Sequence, residues 1–150
     1  MTKGEEIVAA IKTRLETITG VVEVCDWRTL NLDDLSLPAI IIKDLGDSPT
    51  LSPSQRTYIT LEKISVEIIV KGRDKQEKQD ANEAVVTQLR AFTEAVESLL
   101  LHENDTLGGI IHRLIYTGST NSAAPGGDLT VMVRTLTFDA EWFRNVFPPA

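Results

Sequence analysis

The stretch from Tyr58 to Leu101 most constrains what this chain can fold into. Apolar and polar residues alternate along Tyr58–Lys71, first at Ile59 and Leu61, then one residue out of phase at Ile64, Val66, Ile68 and Val70. Period-two alternation is the pattern of a half-buried strand. Keeping both apolar sets on one face takes an extra residue, so the phase change predicts a β-bulge at Glu62–Lys63. Gly72 ends the strand, and Asp74 stands three residues before Glu77 as a capping-box-like helix start. Ala81, Ala84, Val85, Leu89, Phe92, Val96, Leu99 and Leu100 then trace one stripe at helical spacing. A helix over Lys75–Leu101 would be about 40 Å long. In a chain of 150 residues it must cover a broad sheet, extend past it or contact another subunit.

Other elements group around this pair. Thr2 and Glu5 have capping-box spacing, and Ile7, Ile11, Leu15 and Ile18 form a stripe, predicting a helix from Lys3 to Ile18 closed by Gly20. Val21–Trp27 reads as a short strand, and Leu30–Leu37 as a loop carrying Asp33 and Asp34. Pro38 opens the unbroken apolar run Ala39–Ile42, expected for a strand covered on both faces. Ile110–Gly118 and Leu129–Trp142 read as further strands, the last with a second phase slip at Arg134–Thr135. Asp44–Thr57 and Ser119–Asp128 are rich in turn formers and read as mobile loops. The expected architecture is a single α+β domain over residues 1–150. It has a mixed, mostly antiparallel sheet of about five strands with both helices on one face. The other face is left to solvent or a partner.

Composition narrows the function classes. No apolar run approaches the roughly 20 residues of a membrane span, and the N-terminus lacks a signal-peptide core. A net charge of −7 opposes electrostatic wrapping of nucleic acid. Cys25 is the only cysteine, which excludes an internal disulfide and reads as packing. His102 and His112 lack the neighbours of a catalytic triad, and there is no Gly-x-Ser-x-Gly elbow. Asp33–Asp34 and Asp44-x-x-Asp47 could offer oxygen ligands to a hard cation, but read better as solvated acidic segments. Gly108–Gly109 and Gly126–Gly127 precede no Gly-Lys-Ser/Thr phosphate loop. The expectation is a non-enzyme without cofactor. Phe143 and Phe147 continue an aromatic cluster past the last strand, beside two prolines, and are expected at a contact. Together with the charged Asp44, Asp47, Arg56, Arg73 and Asp128 in and beside the loops, they are the candidate subunit or tail contacts.

The layout resembles the bacteriophage tail terminator or minor tail protein family, including prophage and tailocin relatives. The resemblance rests on the leading helix that ends at Gly-Val-Val-Glu-Val, on a Leu-Pro-Ala-Ile-Ile-Ile strand before a long polar loop, and on the long strand and helix. The final Leu-Thr-Val-Met-Val-Arg-Thr-Leu-Thr-Phe strand after a glycine-rich turn completes it. It spans nearly the whole chain and is architectural; no short motif is diagnostic. It implies a hexameric ring that caps the tail tube, stops its growth and offers the head-joining surface. The implied partners are other copies of the chain, the tail tube protein and a head-completion protein. Assembly in the host cytoplasm would be followed by residence in the virion tail, with no sequence-specific nucleic-acid or membrane contact. Divalent cations would promote assembly by screening charge. The alternative expectation is a small non-catalytic adaptor or ligand-binding domain acting as monomer or dimer.

Overall fold

The computed structural model describes residues 2–21, 23–27, 37–52, 57–74, 79–102, 105–126 and 129–145. Helix α1 (Lys3–Leu15) begins in the expected capping box: Thr2 Oγ1 accepts from the Glu5 N–H at 3.2 Å, and Glu5 Oε2 accepts from the Thr2 N–H at 3.0 Å. It ends at Leu15 rather than Ile18. The Thr17 hydroxyl donates to the Arg14 carbonyl at 2.7 Å, and the Thr17 and Ile18 N–H groups reach carbonyls three residues back. A side chain that competes for the backbone tightens and closes the last turn. Gly20, at φ +93°, redirects the chain into β1 (Glu23–Asp26). Then come β2 (Ala39–Ser52), β3 (Thr57–Asp74), α2 (Gln79–Leu100), β4 (Arg113–Gly126) and β5 (Leu129–Asn145).

The strands form one sheet in the order β1-β2-β3-β5-β4. Among the described residues only the β1–β2 pairing is parallel. This is the α+β architecture expected from the sequence. Ile40 and Ile42 of β2, Ile64, Val66, Ile68 and Val70 of β3, and Leu136, Phe138 and Ala140 of β5 share one face. They pack in a single core with Ile7, Ile11 and Leu15 of α1 and Leu89, Phe92, Val96 and Leu100 of α2, so both helices lie on that face. Each such buried side chain contributes roughly 1.5–3 kcal/mol. At the β1 end the opposite face is closed as well: Ala39, Ile41, Ser65 and Ile69 are all buried. The unbroken run at Ala39–Ile42 therefore is covered on both sides.

Arg14 ties the C-terminal ends of the two helices. Its guanidinium donates to both oxygens of Asp105 and to the Leu99 carbonyl at 3.2 Å. Asp105 Oδ1 also accepts the Leu107 N–H at 2.9 Å, where Leu107 adopts φ +49° and is buried. Burial pushes the Asp105 carboxyl up. The Arg14 and Leu107 hydrogen bonds, with the positive charge of Arg14 and His102, outweigh that and hold it below the usual carboxylate range.

Both predicted phase slips are corrected. β3 pairs with β5 without interruption from Thr57↔Asn145 to Lys71↔Val131. Thr60 and Glu62 therefore face the helix side in strict alternation with Ile64, and Arg134 faces it with Leu136. β3 and β5 are interior strands, and an extra residue in either would break ladders on two sides at once. The irregularities fall elsewhere: in β2 between Asp44 and Asp47, in β4 between Tyr116 and Gly118, and at the end of β3 between Lys71 and Asp74. The loop expectations are corrected too. Residues 44–52 are strand and pair with β3, and residues 119–126 are strand and pair with β5. Backbone ladders sustain these segments although they bury little; Leu45 and Leu51 are exposed. The rest of those two expected loops, residues 53–56 and 127–128, lies outside the described residues, as do residues 75–78 of the predicted helix start.

Candidate assembly surface

Past the first turn of α1 the sheet runs on as a projecting end, built from the distal halves of β2 and β3 and the C-terminal part of β5. The register sorts its side chains. Leu51, Tyr58 and Arg144 share the helix-side face, while Thr50, Ile59 and Phe143 share the other. Phe143 is 49% exposed and Leu51 47%, and Leu45 on the β2 bulge is 54% exposed. The His112 ring sits 4.8 Å from that of Phe143. His112 and Arg113 both approach Glu141, at 3.8 and 3.3 Å.

On the helix side, a polar cluster lies beneath the first turn of α1. Glu62 is 6% exposed and Thr60 fully buried. Asp44 Oδ1 accepts the Gly46 N–H at 3.0 Å, fixing the bulge, where Gly46 has φ +108°. Its Oδ2 faces Gly4: a methyl group there would come within 1.9 Å of it and 3.5 Å of Glu62 Oε2. Only glycine admits this approach. Trp142 carries Lys3 Nζ at 5.8 Å and Arg144 Cζ at 4.7 Å from its ring centroid, and Arg144 also reaches Asp47 at 3.9 Å. Among the described residues, Thr60 Oγ1 and Trp142 Nε1 are buried without a hydrogen-bond partner. Burial, the hydrogen bond with Asp44 and the charges of Asp44 and Asp47 push the Glu62 carboxyl up to about 7; the Trp142 indole N–H, close to Glu62 but short of a full hydrogen bond, pulls the other way.

The structure thus brings Asp44, Asp47 and Phe143 to one end of the sheet, with Phe143 on the opposite face. Arg56, Asp128 and Phe147 lie outside the described residues, and of Arg73 only the backbone is described, at the irregular end of β3. Sequence reasoning missed Glu62, Thr60, Trp142 and Arg144. The apolar pattern breaks at Glu62–Lys63, so no local signal marked the first two; only the uninterrupted β3–β5 register places them inward. Cys25 is half-buried in β1; burial, then the charge of Glu23, push its thiol up, with Lys12 opposing. No three His, Cys, Asp or Glu side chains converge on a possible metal site among the described residues.

The two sheet edges differ. β2 is covered by β1 only at Ala39–Ile42, and its remaining edge carries Asp44, Asp47, the bulge and Pro49. β4 is the terminal strand at the other side, and from Leu114 to Gly126 it bears no charged residue. Behind it Arg134 is held by Asn121 Oδ1 at 3.1 Å and Ser119 Oγ at 2.9 Å. A groove of about 370 Å³ runs between α2 and this hairpin, lined by Leu89, Arg90, Glu94, Met132 and Arg134 among others. No family model matches the chain, and no curated protein matches it significantly.

Proposed function

We propose that the chain is a structural subunit of the phage tail terminator type, forming a closed ring that caps a tail tube and presents a head-joining surface. The observation that carries this reading is that, among the described residues, one sheet has two unpaired edges of unlike character. Monomeric proteins blunt a long edge with charges, prolines or bulges. β2 has all three, whereas β4 has one bulge and Pro125 near its end but no charge over Leu114–Gly126. An uncharged edge such as Leu114–Ala124 is a template for another chain. A contact joining unlike surfaces of identical subunits is heterologous and closes into a ring when the rotation permits. Arg113 at the start of β4 and the acidic residues of the β2 edge are complementary in sign. The exposed Leu51 and Phe143 at the projecting end would face the tube protein or the head-completion protein. Assembly in the host cytoplasm and residence in the virion tail follow from that role, which is structural rather than catalytic.

With −7 per copy, closure gathers like charge, so salt or magnesium should favour it. The test is sedimentation across salt and magnesium, with and without tail tubes, on the native chain and on Thr120→Lys/Ser122→Lys. The reading expects rings or tube-end binding in the native chain and loss of both in the variant, with its melting temperature unchanged. Persistent monomers that ignore tube ends, or rings indifferent to charge on β4, refute it. The groove beside Arg134 favours the second reading, a small adaptor, which predicts a monomer or dimer under every condition.

A further inference from the structure

We propose that Glu62 holds a proton that it donates to Asp44, and that its loss turns the Glu62 carboxyl from Asp44 onto the neighbouring Trp142 indole N–H and the unpartnered Thr60 hydroxyl, loosening the β2 bulge and the first turn of α1. The latch follows from the packing beneath α1 and is independent of the ring reading.

Three observations meet here. First, the site has no spare room. Gly4 lies so close to Asp44 Oδ2 that even a methyl group does not fit, and Glu62 Oε2 borders the same point. Two ionised carboxylates in that space, with Glu62 only 6% exposed, repel each other with little water to screen them. Second, a neutral Glu62 resolves the conflict by donating its proton's hydrogen bond to Asp44, whose other oxygen is already taken by the Gly46 N–H. Third, an alternative resting place exists for the ionised form. Thr60 precedes Glu62 by two residues on the same face, and Trp142 is directly opposite Thr60. Thr60 Oγ1 and Trp142 Nε1 are buried and complete no hydrogen bond among the described residues, and the Trp142 indole already lies near enough to Glu62 to favour its ionised form. Buried donors without acceptors are rare and costly, and an ionised Glu62 is an acceptor within their reach. Each protonation state thus has its own hydrogen-bond set.

The surrounding charges do not override the pair. From α1, Lys3 is occupied by the Ile110 carbonyl at 3.2 Å and by Glu6 at 3.3 Å, and Glu5 is part of the capping box. From β2, Asp47 adds negative charge, and from β5, Arg144 is engaged with Asp47 and the Trp142 ring. Among the described residues no cation forms an ion pair with Asp44 or Glu62. The exchange therefore falls near neutrality, at about 7, rather than in the acid range of ordinary carboxyls. Its mechanical consequence is local. Once Glu62 leaves, Asp44 loses its donor while still bracing the bulge, and Gly4 no longer sits on a neutralised pair.

Trp142 is itself the reporter. The chain has two tryptophans, so Trp27→Phe leaves Trp142 alone. Its emission, followed from about pH 5.5 to 8.5, should shift in one step with a midpoint near 7. Glu62→Gln in that background should abolish the step, and Asp44→Asn should move its midpoint to lower pH. His112→Asn should leave it unchanged, because that ring packs against Phe143 on the other face. Amide exchange at Gly46 and in the first turn of α1 should be several-fold faster above the midpoint than in Glu62→Gln at the same pH. A step that survives Glu62→Gln, ignores Asp44→Asn or vanishes with His112→Asn overturns the latch. So does a flat emission profile in Trp27→Phe. If Glu62→Gln does not fold, the Asp44→Asn midpoint decides, together with Gly46 exchange compared with that in Asp44→Asn at the same pH: an unmoved midpoint, or equal exchange above it, overturns the latch.

Discussion

Replacing Asp105 by asparagine removes one charge and almost no volume. The native carboxylate takes two hydrogen bonds from Arg14 and one from the Leu107 N–H. Asparagine keeps one acceptor oxygen, so the Leu107 contact survives and the paired grip of Arg14 is lost. Hydrogen bonds to charged groups are worth roughly 1.5–3 kcal/mol each. The Arg14 side chain is 31% exposed, so water recovers part of that. The expected loss is about 2 kcal/mol, a fall in melting temperature of roughly 4–8 °C for a chain of this length. The pH dependence supplies the check. The Asp105 carboxyl is held below its ordinary value of 3.8, so its stabilisation is complete above that value and drains away as pH falls through the folded one. Urea unfolding of both proteins between about pH 2.5 and 7 should show the gap at neutral pH and its closure in acid. A double-mutant cycle with Arg14→Met should place most of it in the pair. A gap that stays constant across that range, or one below about 0.5 kcal/mol at pH 7, would refute the helix-tying role of Asp105.

Glu62 makes the opposite contribution: its folded value of about 7 lies above the ordinary 4.5, so its contribution to stability is greatest below 4.5 and is lost as pH rises through 7. Glu62→Gln should flatten that loss, worth up to about 3 kcal/mol, in urea titrations at pH 5 and 8. Phe92→Ala empties a site that is 8% exposed and borders Gly20; a cost of about 3–5 kcal/mol is expected by urea unfolding, and an unchanged curve means that the ring is not packed there. Gly4→Ala should lower stability despite alanine's helix propensity, which favours it by about 1 kcal/mol, because Asp44 must rotate away; a more stable variant would contradict the close approach. Thr2→Ala should cost about 1 kcal/mol through loss of the cap, read by thermal melting.

The amino-acid sequence by itself determined what depends on neighbours a few residues apart. Thr2 and Glu5 define the start of α1, and the stripe through Leu89, Phe92, Val96 and Leu100 defines the buried face of α2. Alternation at Ile64–Val70 defines a strand, and these together imply an α+β sheet with both helices on one side. Tertiary structure decided whatever depends on the far partner. A phase slip beside Glu62 looks locally cheaper than burying a carboxyl, but β3 pairs with β5 without a break and the extra residue sits in β2 instead, so Glu62 stays on the inward face, where Asp44 from β2 meets it. Residues 44–52 and 119–126 carry turn formers and little to bury, so no local pattern marks them as strand; the hydrogen-bonding edges of β3 and β5 make them so. Arg14 and Asp105 lie far apart in the chain and meet only because the helices finish side by side. Local periodicity encodes which face is apolar, whereas the position of a polar group is set by partners that only the folded sheet brings within reach.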